Sequence, residues 1–388
     1  MNDSVPSPTT AAVLEPLSEF GIDRHTGFVP ATDPLERLPP AFDAWEQLVP
    51  ELPALIRSRR VRSALLELPV LHPLELLQTD RERERALLLL SVFANAWVWG
   101  GEEPNFRIPQ TIAVPLCAVA GALDRPPIVH YASMALNNWQ RVDRRLPVGA
   151  DNARMQVQFL GGVDEDWFFI GSLGVELAGA PLIPMIHDAV CASHEADDVK
   201  LARLLEGMAQ GMAPVLEALE RLRLWCDPHI FYHRVRPFLA GWPAPGAVYC
   251  GVDEQPRKYV GGSAGQSSLI QAIDALLGIE HGAVTGPYLR EVRRYMPIGH
   301  RRFVEKVETT TRVRSRAEAG SPQLRAAYDH AVEQVDLFRR RHIQLARDFI
   351  SQPSGSAAGG KGTGGTTFVD FLRDAQTETA SATLSRPR

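Results

Sequence analysis

His342 interrupts an otherwise apolar stripe near the end of the chain. The members of the stripe recur at spacings of three and four residues, so they share one face of an α-helix. The stripe consists of Tyr328, Ala331, Val335, Phe338, His342, Leu345 and Phe349. A core histidine held by hydrogen bonds is one interpretation. The other is an axial ligand of haem iron, which requires a neutral imidazole aimed into an apolar slot.

The bounds of this helix follow from its capping residues. Ser321 is a good N-cap and Pro322 suits the first helical position, so we expect a helix from there to about Phe349. His330 falls on the outer face of the same helix. His342 is therefore the histidine that can face an interior site.

A second helix, predicted over residues 166–184, has an unusually small face. Gly171, Gly174 and Ala178 lie along it, with Ser172, Gly179 and Ala180 nearby. Glycine costs roughly 1 kcal/mol in a helix interior, so such a face needs a physical reason. Close helix packing is one reason, and close approach of a flat ligand such as a macrocycle is the other.

A glycine-rich stretch, GGSAGQSS at residues 261–268, opens another predicted helix. Free N–H groups at such a helix start can hold an anion. The stretch lacks the lysine of a phosphate-binding P-loop, and it does not follow a predicted strand as a dinucleotide-binding motif would. A nucleotide site is therefore poorly supported.

Three other histidines are further candidates for functional groups. His229 and His233 have the i, i+4 spacing of a zinc pair, but the glutamate of HExxH is missing. An ordinary loop or helix end is the alternative. His300 is interpreted as structural.

Long helical patterns supply the framework for these groups. An apolar face over residues 201–222 predicts a long helix, with Asp197 and Asp198 suited to its first turn. Residues Arg85 to Trp99 are apolar nearly all round and predict a buried helix. With few period-2 runs and no alternation of strands and helices, the predicted fold class is all-α.

Composition limits the class of protein. The chain has 388 residues, of which 45% are hydrophobic and 22% charged, as expected for a folded protein with a sizeable core. Its net charge of -5 argues against general nucleic-acid binding. The four cysteines lack the spacing of a disulfide framework or a zinc site. No signal peptide is recognised, and the longest apolar stretch, residues 87–100, is too short to span a bilayer. We therefore expect a cytoplasmic protein with no membrane partner.

Composition also divides the chain into segments. Residues 1–20 are rich in Pro, Ser and Thr and predict a disordered tail. The connector LPVGAD, near residues 146–151, predicts a boundary between a small helical domain, 21–148, and a larger domain, 149–388. Residues 353–366 are rich in Gly and Ser and predict a mobile loop, after which a helical pattern resumes at Phe368.

Several stretches together carry a resemblance to a known family. They are WFFIGSLGVELAGA (167–180), RVRPFLAGW (234–242), GGSAGQSSLIQAIDALLGI (261–279), RRYMPIGHRRFVE (293–305), FRRRHIQLA around His342, and KGTGGTTFVDFL (361–372). Weaker matches lie at 96–100, 112–117 and 126–139. In this order, from about residue 20 to about residue 375, the chain resembles the indoleamine 2,3-dioxygenases.

The resemblance implies an all-helical enzyme with a small N-terminal domain and a large C-terminal domain that encloses haem b. Such an enzyme uses ferrous haem and O2 to cleave the C2–C3 bond of an indole ring. L-Tryptophan then gives N-formylkynurenine, the first step of the kynurenine route. An unidentified electron donor would keep the iron reduced.

The resemblance also implies roles for individual residues. His342 would be the proximal haem ligand, and Asp274 and Arg339 would form an ion pair on that side. The residues implied for the distal pocket and the substrate are Tyr131, Phe168, Ser172, Phe231 and Arg236. Those implied for the loop beside the haem are Ser263 and Ala264, and the one implied for the closing loop is Thr363.

The chemistry of these side chains suits the implied roles. The planar fork of Arg236 matches a carboxylate, although an arginine in RVRPF is by itself more often a surface residue, as we expect for Arg234. Aromatic residues are otherwise simply core, but the resemblance implies that they would form a flat slot for an indole. Ser172 is a weak base, so we assign it positioning by a hydrogen bond to substrate or O2. Closure of the glycine-rich loop at 361–366 would exclude water.

Two alternatives remain at this stage. One is a relative that oxygenates another indole, since the segment 126–139 matches the family loosely. The other is a haem-binding sensor without turnover. Retention of Phe231, Arg236 and Thr363 argues against a sensor, which needs no substrate-binding groups.

Overall fold

The computed structural model describes residues 13–355 and 368–385, and α-helices dominate them. The all-α prediction is therefore confirmed. The helices are α1 (Asp43–Arg57), α2 (Val61–Leu66), α3 (Asp80–Trp99), α4 (Gln110–Ala122), α5 (Val163–Gly179), α6 (Leu182–Glu195), α7 (Asp198–Trp225), α8 (Pro228–Ile230), α9 (Ser268–Leu277), α10 (Thr285–Arg293), α11 (Ile298–Thr310), α12 (Val313–Ala319), α13 (Pro322–Ala346) and α14 (Phe368–Ala380).

Short strands accompany the helices and were not predicted from the sequence. They are β1 (Arg107–Ile108), β2 (Trp139–Arg141), β3 (Ala153–Met155), β4 (Ala247–Tyr249) and β5 (Asp253–Arg257). β4 pairs with β1 in parallel and with β5 antiparallel, while β2 and β3 form an antiparallel pair. Strands this short carry too few residues to show a period-2 pattern.

The long helix predicted over 201–222 is α7, which packs against α5, α6 and α13. Its apolar face is buried, except that Leu204 is only partly so. The side chain of Asp197 caps its start by accepting a hydrogen bond from Lys200 N at 2.9 Å. Burial of this face against three other helices makes α7 the centre of the larger helical cluster.

The helix that bears His342 is α13, and its predicted start is confirmed. Ser321 Oγ accepts a hydrogen bond from Leu324 N at 3.2 Å, and Pro322 is the first helical residue. Beyond Ala346 the chain continues as a π-helical turn, Arg347–Ser351. The apolar stripe of α13 is buried against α7, and this packing fixes the face on which His342 lies.

The buried helix predicted from Arg85 to Trp99 is α3, which starts earlier, at Asp80. A capping box between Thr79 and Glu82 sets that start. Asn95, inside the helix, is fully buried and donates through Nδ2 to the carbonyl of Phe238 at 2.8 Å. α3 thereby joins the first third of the chain to residues that follow α8.

The small face of α5 packs against neighbouring side chains. A Cβ added at Gly171 would overlap Leu222 of α7, and one added at Gly179 would overlap Leu269 of α9. The structure therefore favours close helix packing over approach of a flat ligand as the reason for these two glycines. Leu222 and Leu269, which these glycines contact, also line the cavity described below.

Part of the predicted disordered tail is ordered. Residues Leu17–Phe20 form a 3-10 helix, and Leu14, Leu17 and Phe20 are buried. The expectation for residues 13–20 is therefore wrong, because their apolar side chains pack into the core. Residues 1–12 lie outside the described residues. The connector at 146–151 lies between β2 and β3, and the domain boundary there stays a prediction.

Among the described residues, one helical stretch is long and apolar enough, by length and composition alone, to cross a membrane. It is Val163–Glu195, which comprises α5 and α6, and the 18-residue window that meets the criteria is 56% buried inside the protein. Core helices of soluble proteins pass the same test, so this is weak evidence for a membrane span.

Candidate active site

A cavity of about 280 Å³ lies among α5, α7, α9 and α13 and the turns of residues 231–239. Its wall brings together most of the residues assigned to a site from the sequence: Tyr131, Phe168, Ser172, Phe231, Arg236, Ser263, Ala264, Asp274, Arg339 and His342. Thr363 falls outside the described residues. Residues far apart in the chain thus converge on one space that is mainly apolar.

His342 faces this cavity from α13 and is half-buried. Among the described residues, its ring nitrogens have no hydrogen-bond partner, so the interpretation as a hydrogen-bonded core histidine is not supported. Burial, with a smaller contribution from the positive charge of Arg339, lowers the pKa of His342 to about 4. The ring is therefore neutral at pH 7, the form in which imidazole binds a metal ion.

Aromatic rings line another part of the cavity. Phe168 and Phe231 lie with ring centroids 4.2 Å apart and planes inclined by 32°. Phe349 meets Phe231 edge-on at 5.8 Å. These rings come from α5, from the π-helical turn Phe231–Val235 and from the turn after α13. Together they can accept a flat apolar group.

Arg236 brings a cation to the cavity wall at the junction of a π-helical turn and a 3-10 helix, Arg236–Leu239. Its guanidinium carbon lies 5.2 Å from the centroid of the Tyr232 ring. Burial lowers the pKa of Arg236, but an arginine stays charged at neutral pH. Arg234 is exposed, as expected from the sequence.

Ser172 lines the cavity one turn beyond Phe168 on α5. Its hydroxyl donates to the carbonyl oxygen of Phe168 at 2.9 Å. While the proton is donated to the helix backbone, the hydroxyl oxygen can accept a hydrogen bond from a bound molecule. The role left to Ser172 is that of an acceptor that positions a donor.

The glycine-rich loop is held firmly against the cavity. Gln266, in the 3-10 helix Ala264–Gln266, donates to the carbonyl of Gly261 at 2.9 Å and accepts from the backbone N–H of Tyr131 at 2.8 Å. A Cβ at Gly261 would overlap the Leu239 carbonyl, so only glycine allows this close approach. Ser263 and Ala264 are thereby placed on the cavity wall.

Glu176 is a residue that sequence reasoning missed. It is buried on α5, and its Oε1 accepts hydrogen bonds from Tyr131 Oη at 2.9 Å and Ser267 Oγ at 2.6 Å. Burial raises the pKa of Glu176, and these two hydrogen bonds offset the effect only in part. The available signal was an acidic residue in an apolar run, four residues after Ser172 and so on the same helix face.

Asp274 of α9 and Arg339 of α13 form a buried ion pair beside the cavity. Burial would raise the pKa of Asp274, but the charges of Arg339 and His281 outweigh it and keep the carboxylate ionised. His281, the second partner, was not singled out from the sequence. The pair joins the helix that bears His342 to the helix that follows the glycine-rich loop.

His229, His233 and His300 do not line this cavity. His229 and His233 are exposed, with ring centroids 4.4 Å apart, and the described residues contain no group of three or more His, Cys, Asp or Glu side chains placed to hold a metal ion. His300 is buried against Phe28 at 4.8 Å between ring centroids, and burial lowers its pKa to about 3. It packs as a neutral core residue.

Comparison with known proteins decides the family. A family model described as indoleamine 2,3-dioxygenase matches residues 16–382. The chain belongs to the indoleamine 2,3-dioxygenase family. The resemblance inferred from sequence motifs is confirmed, and membership makes the chain an oxidoreductase.

Relatives from distant organisms match over almost their whole length. The chain is 34% identical to indoleamine 2,3-dioxygenase 1 of Rattus norvegicus, over 96% of each chain. It is 31% identical to indoleamine 2,3-dioxygenase of Saccharomyces cerevisiae, over 98% of this chain and 97% of the relative. It is 29% identical to indoleamine 2,3-dioxygenase 2 of Homo sapiens, over 98% of each chain.

Family membership implies haem-dependent dioxygenation of an indole, and the cavity fits a haem. His342 offers to an apolar space a neutral imidazole with no hydrogen-bond partner among the described residues, and imidazole is the donor that haem iron takes in many proteins. Phe338, four residues earlier on α13, lines the same cavity with its apolar ring. The residues present are thus those that could hold an iron porphyrin through one axial bond.

Proposed function

We propose that this member of the indoleamine 2,3-dioxygenase family inserts O2 across the C2–C3 bond of L-tryptophan to give N-formylkynurenine. One observation carries the proposal: a single cavity holds the neutral imidazole of His342, the Arg236 guanidinium and the paired rings of Phe168 and Phe231. Haem b with ferrous iron, held through His342, would supply the centre that activates O2. An unidentified electron donor, a cytoplasmic setting and the absence of nucleic-acid and membrane partners belong to the same proposal.

Arg236 is proposed to bind the carboxylate of the amino acid. A guanidinium can hold a carboxylate through two parallel hydrogen bonds, and its half-buried position strengthens the attraction. Tyr232, under the guanidinium, restricts the direction in which the side chain can point. This anchor would fix one end of the substrate and favour amino acids over free indole.

The aromatic rings are proposed to hold the indole. Phe168 and Phe231 offer an apolar slot, and Tyr131 closes another part of the wall with its hydroxyl committed to Glu176. Ser172 can accept a hydrogen bond from an N–H of the substrate, which sets the orientation of the ring. No general base is required of the protein, because the electron-rich indole itself is the nucleophile.

The glycine-rich loop and the proximal ion pair are proposed to frame the cofactor. Ser263 and Ala264 would lie beside its edge and the amino acid end of the substrate. Asp274 and Arg339 would hold α13 in place behind it. The role proposed for Thr363, closing over the substrate and excluding water, concerns a residue outside the described part of the chain.

The deciding experiment is a direct assay of the purified, haem-loaded protein. The haem is reduced, O2 and L-tryptophan are added, and N-formylkynurenine is followed by mass spectrometry. We expect many turnovers per haem. A normal ferrous haem spectrum without product would overturn the proposal. A panel of D-tryptophan and ring-substituted indoles would then separate an enzyme for another indole from a haem sensor.

A further inference from the structure

We propose that His281 is a positioning residue, held as an imidazolium between Asp274 and Glu378, that ties α14 to the ion pair behind the His342 helix. The geometry of the contacts carries this inference. The proposed function enters only in its last consequence, the shape of the substrate cavity.

Both ring nitrogens of His281 face carboxylate oxygens. Nε2 lies 3.2 Å from Asp274 Oδ2, and Nδ1 lies 2.7 Å from Glu378 Oε2. A neutral imidazole has only one N–H, so one of these oxygens would meet a lone pair instead of a proton. The imidazolium has two N–H groups and satisfies both contacts. The arrangement itself therefore requires the charged form.

The surroundings of His281 also favour a positive charge. The groups that face it are Asp274 from α9, Glu378 from α14 and, beyond Asp274, Arg339 from α13. Positive and negative charges alternate along this row, so each one has an opposite neighbour. Burial and the positive charge of Arg339 would lower the pKa of His281. Hydrogen bonding and charge from Asp274, with the hydrogen bond to Glu378, outweigh both and raise the pKa above its ordinary value.

Glu378 is also tied to the segment after His281. Its Oε1 accepts from Gly282 N at 2.9 Å and from Thr285 Oγ1 at 2.8 Å. The same segment leads into α10, whose Tyr288 meets Phe371 of α14 with ring centroids 4.8 Å apart. α14 is thus held to the 281–288 segment at two places, one polar and one aromatic.

The held helix forms part of the cavity wall. Phe371 and Leu372 of α14 line the cavity, as do Asp274 and Arg339. The charged contact at Glu378 lies two helical turns from Phe371, so it sets how α14 lies against the cavity. Through Asp274 and Glu378, His281 would connect the back of the haem site to the wall that meets the substrate.

The pH dependence follows from the sign of the shift. A histidine with a raised folded pKa contributes stability that is complete below the ordinary value of about 6.5, where the unfolded chain also binds the proton. That stability is lost as pH rises through the folded pKa. At that point one carboxylate faces a lone pair, and α14 should loosen.

Hydrogen exchange of the full-length, haem-loaded protein tests this without any turnover. We expect amides of residues 368–380 in wild type to lose roughly tenfold or more protection, after correction for intrinsic exchange, as pH rises through the His281 titration. His281→Gln, which lacks the charge, should show the weaker protection already at pH 6. Glu378→Gln should also show the weaker protection at pH 6. This variant tests the same contact if His281→Gln does not fold.

His330→Gln is the matched control. His330 Nδ1 lies 3.0 Å from Glu206 Oε2, in a partly exposed pair on the side of α13 that meets α7. This variant should exchange like wild type. The proposal is overturned if residues 368–380 are equally protected in wild type and both test variants at pH 6. It is also overturned if NMR shows that His281 titrates at or below 6.5. Neither result would bear on turnover of L-tryptophan.

Discussion

At the scale of single residues, the two histidines of α13 provide an internal comparison. His342 lines the cavity without a hydrogen-bond partner among the described residues, while His330 pairs with Glu206 on the outside. We expect His342→Ala to lose stable haem binding, because the axial bond to iron disappears. His330→Ala should bind haem as wild type does. A haem titration followed by the Soret absorbance measures both, and tight binding by His342→Ala would contradict the assignment.

Two arginines in one short segment allow a specific role in substrate binding to be distinguished from a general effect of positive charge. Arg236 is half-buried at the cavity, and Arg234 is exposed. We expect Arg236→Ala to bind haem normally and to lower kcat/KM for L-tryptophan by roughly 10- to 100-fold, the value of a lost hydrogen bond to a charged group. Arg234→Ala should change kcat/KM by less than about twofold, as for a surface substitution. Steady-state assays of the haem-loaded variants measure both effects. A normal kcat/KM in Arg236→Ala would show that Arg236 does not bind the substrate carboxylate.

At the scale of helices, glycines in α5 and α7 should respond to alanine in opposite directions. A Cβ at Gly179 would overlap three atoms of the buried Leu269 side chain, so Gly179→Ala should lower the free energy of unfolding by about 1–3 kcal/mol. At Gly207 the nearest atom is Met185 Sδ at 3.7 Å, an ordinary contact. Gly207→Ala should therefore raise the free energy of unfolding by about 0.5–1 kcal/mol.

Denaturant unfolding of the two alanine variants beside wild type checks this pair. If Gly179→Ala is as stable as wild type, Leu269 can move aside, and the packing of α5 against α9 is looser than the structure indicates. The comparison matters for the site because Leu269 also lines the cavity. A variant that displaces it should narrow the space available to a ligand.

At the scale of the whole molecule, buried apolar residues form one continuous cluster from Leu14 to Ala382. Asn95 lies within it and joins α3 to the carbonyls of Phe238 and Ala240, at 2.8 and 3.3 Å. Asn95→Ala would remove this donor from the buried Phe238 carbonyl, while the Ala240 carbonyl keeps Trp99 Nε1 at 3.3 Å. The substitution should cost about 1–3 kcal/mol. We expect wild type to unfold in a single calorimetric transition and Asn95→Ala to lower its midpoint.

Differential scanning calorimetry distinguishes unfolding in a single transition from the separate unfolding of independent domains. Two resolved transitions in wild type would show that the segments on either side of residues 146–151 unfold separately. A single peak that Asn95→Ala does not move would show that water replaces the lost hydrogen bonds.

The sequence by itself determined the helices and their inward faces, because apolar spacing and capping residues act locally along the chain. Thus α7, α13 and the buried part of α3 were predicted, and so was His342 as the polar member of an apolar stripe. The order of motifs also identified the family. These features depend on residues within a few helical turns of each other.

Only the tertiary structure decided which distant polar groups meet. Glu176 reaches Tyr131 and Ser267, and His281 reaches Glu378 almost a hundred positions later. No local pattern records such pairs, because the partners come from separate elements brought together by packing of apolar faces. The short strands and the glycine contacts of α5 could not be predicted from the sequence for the same reason. The whole fold sets what occupies the space beside a residue.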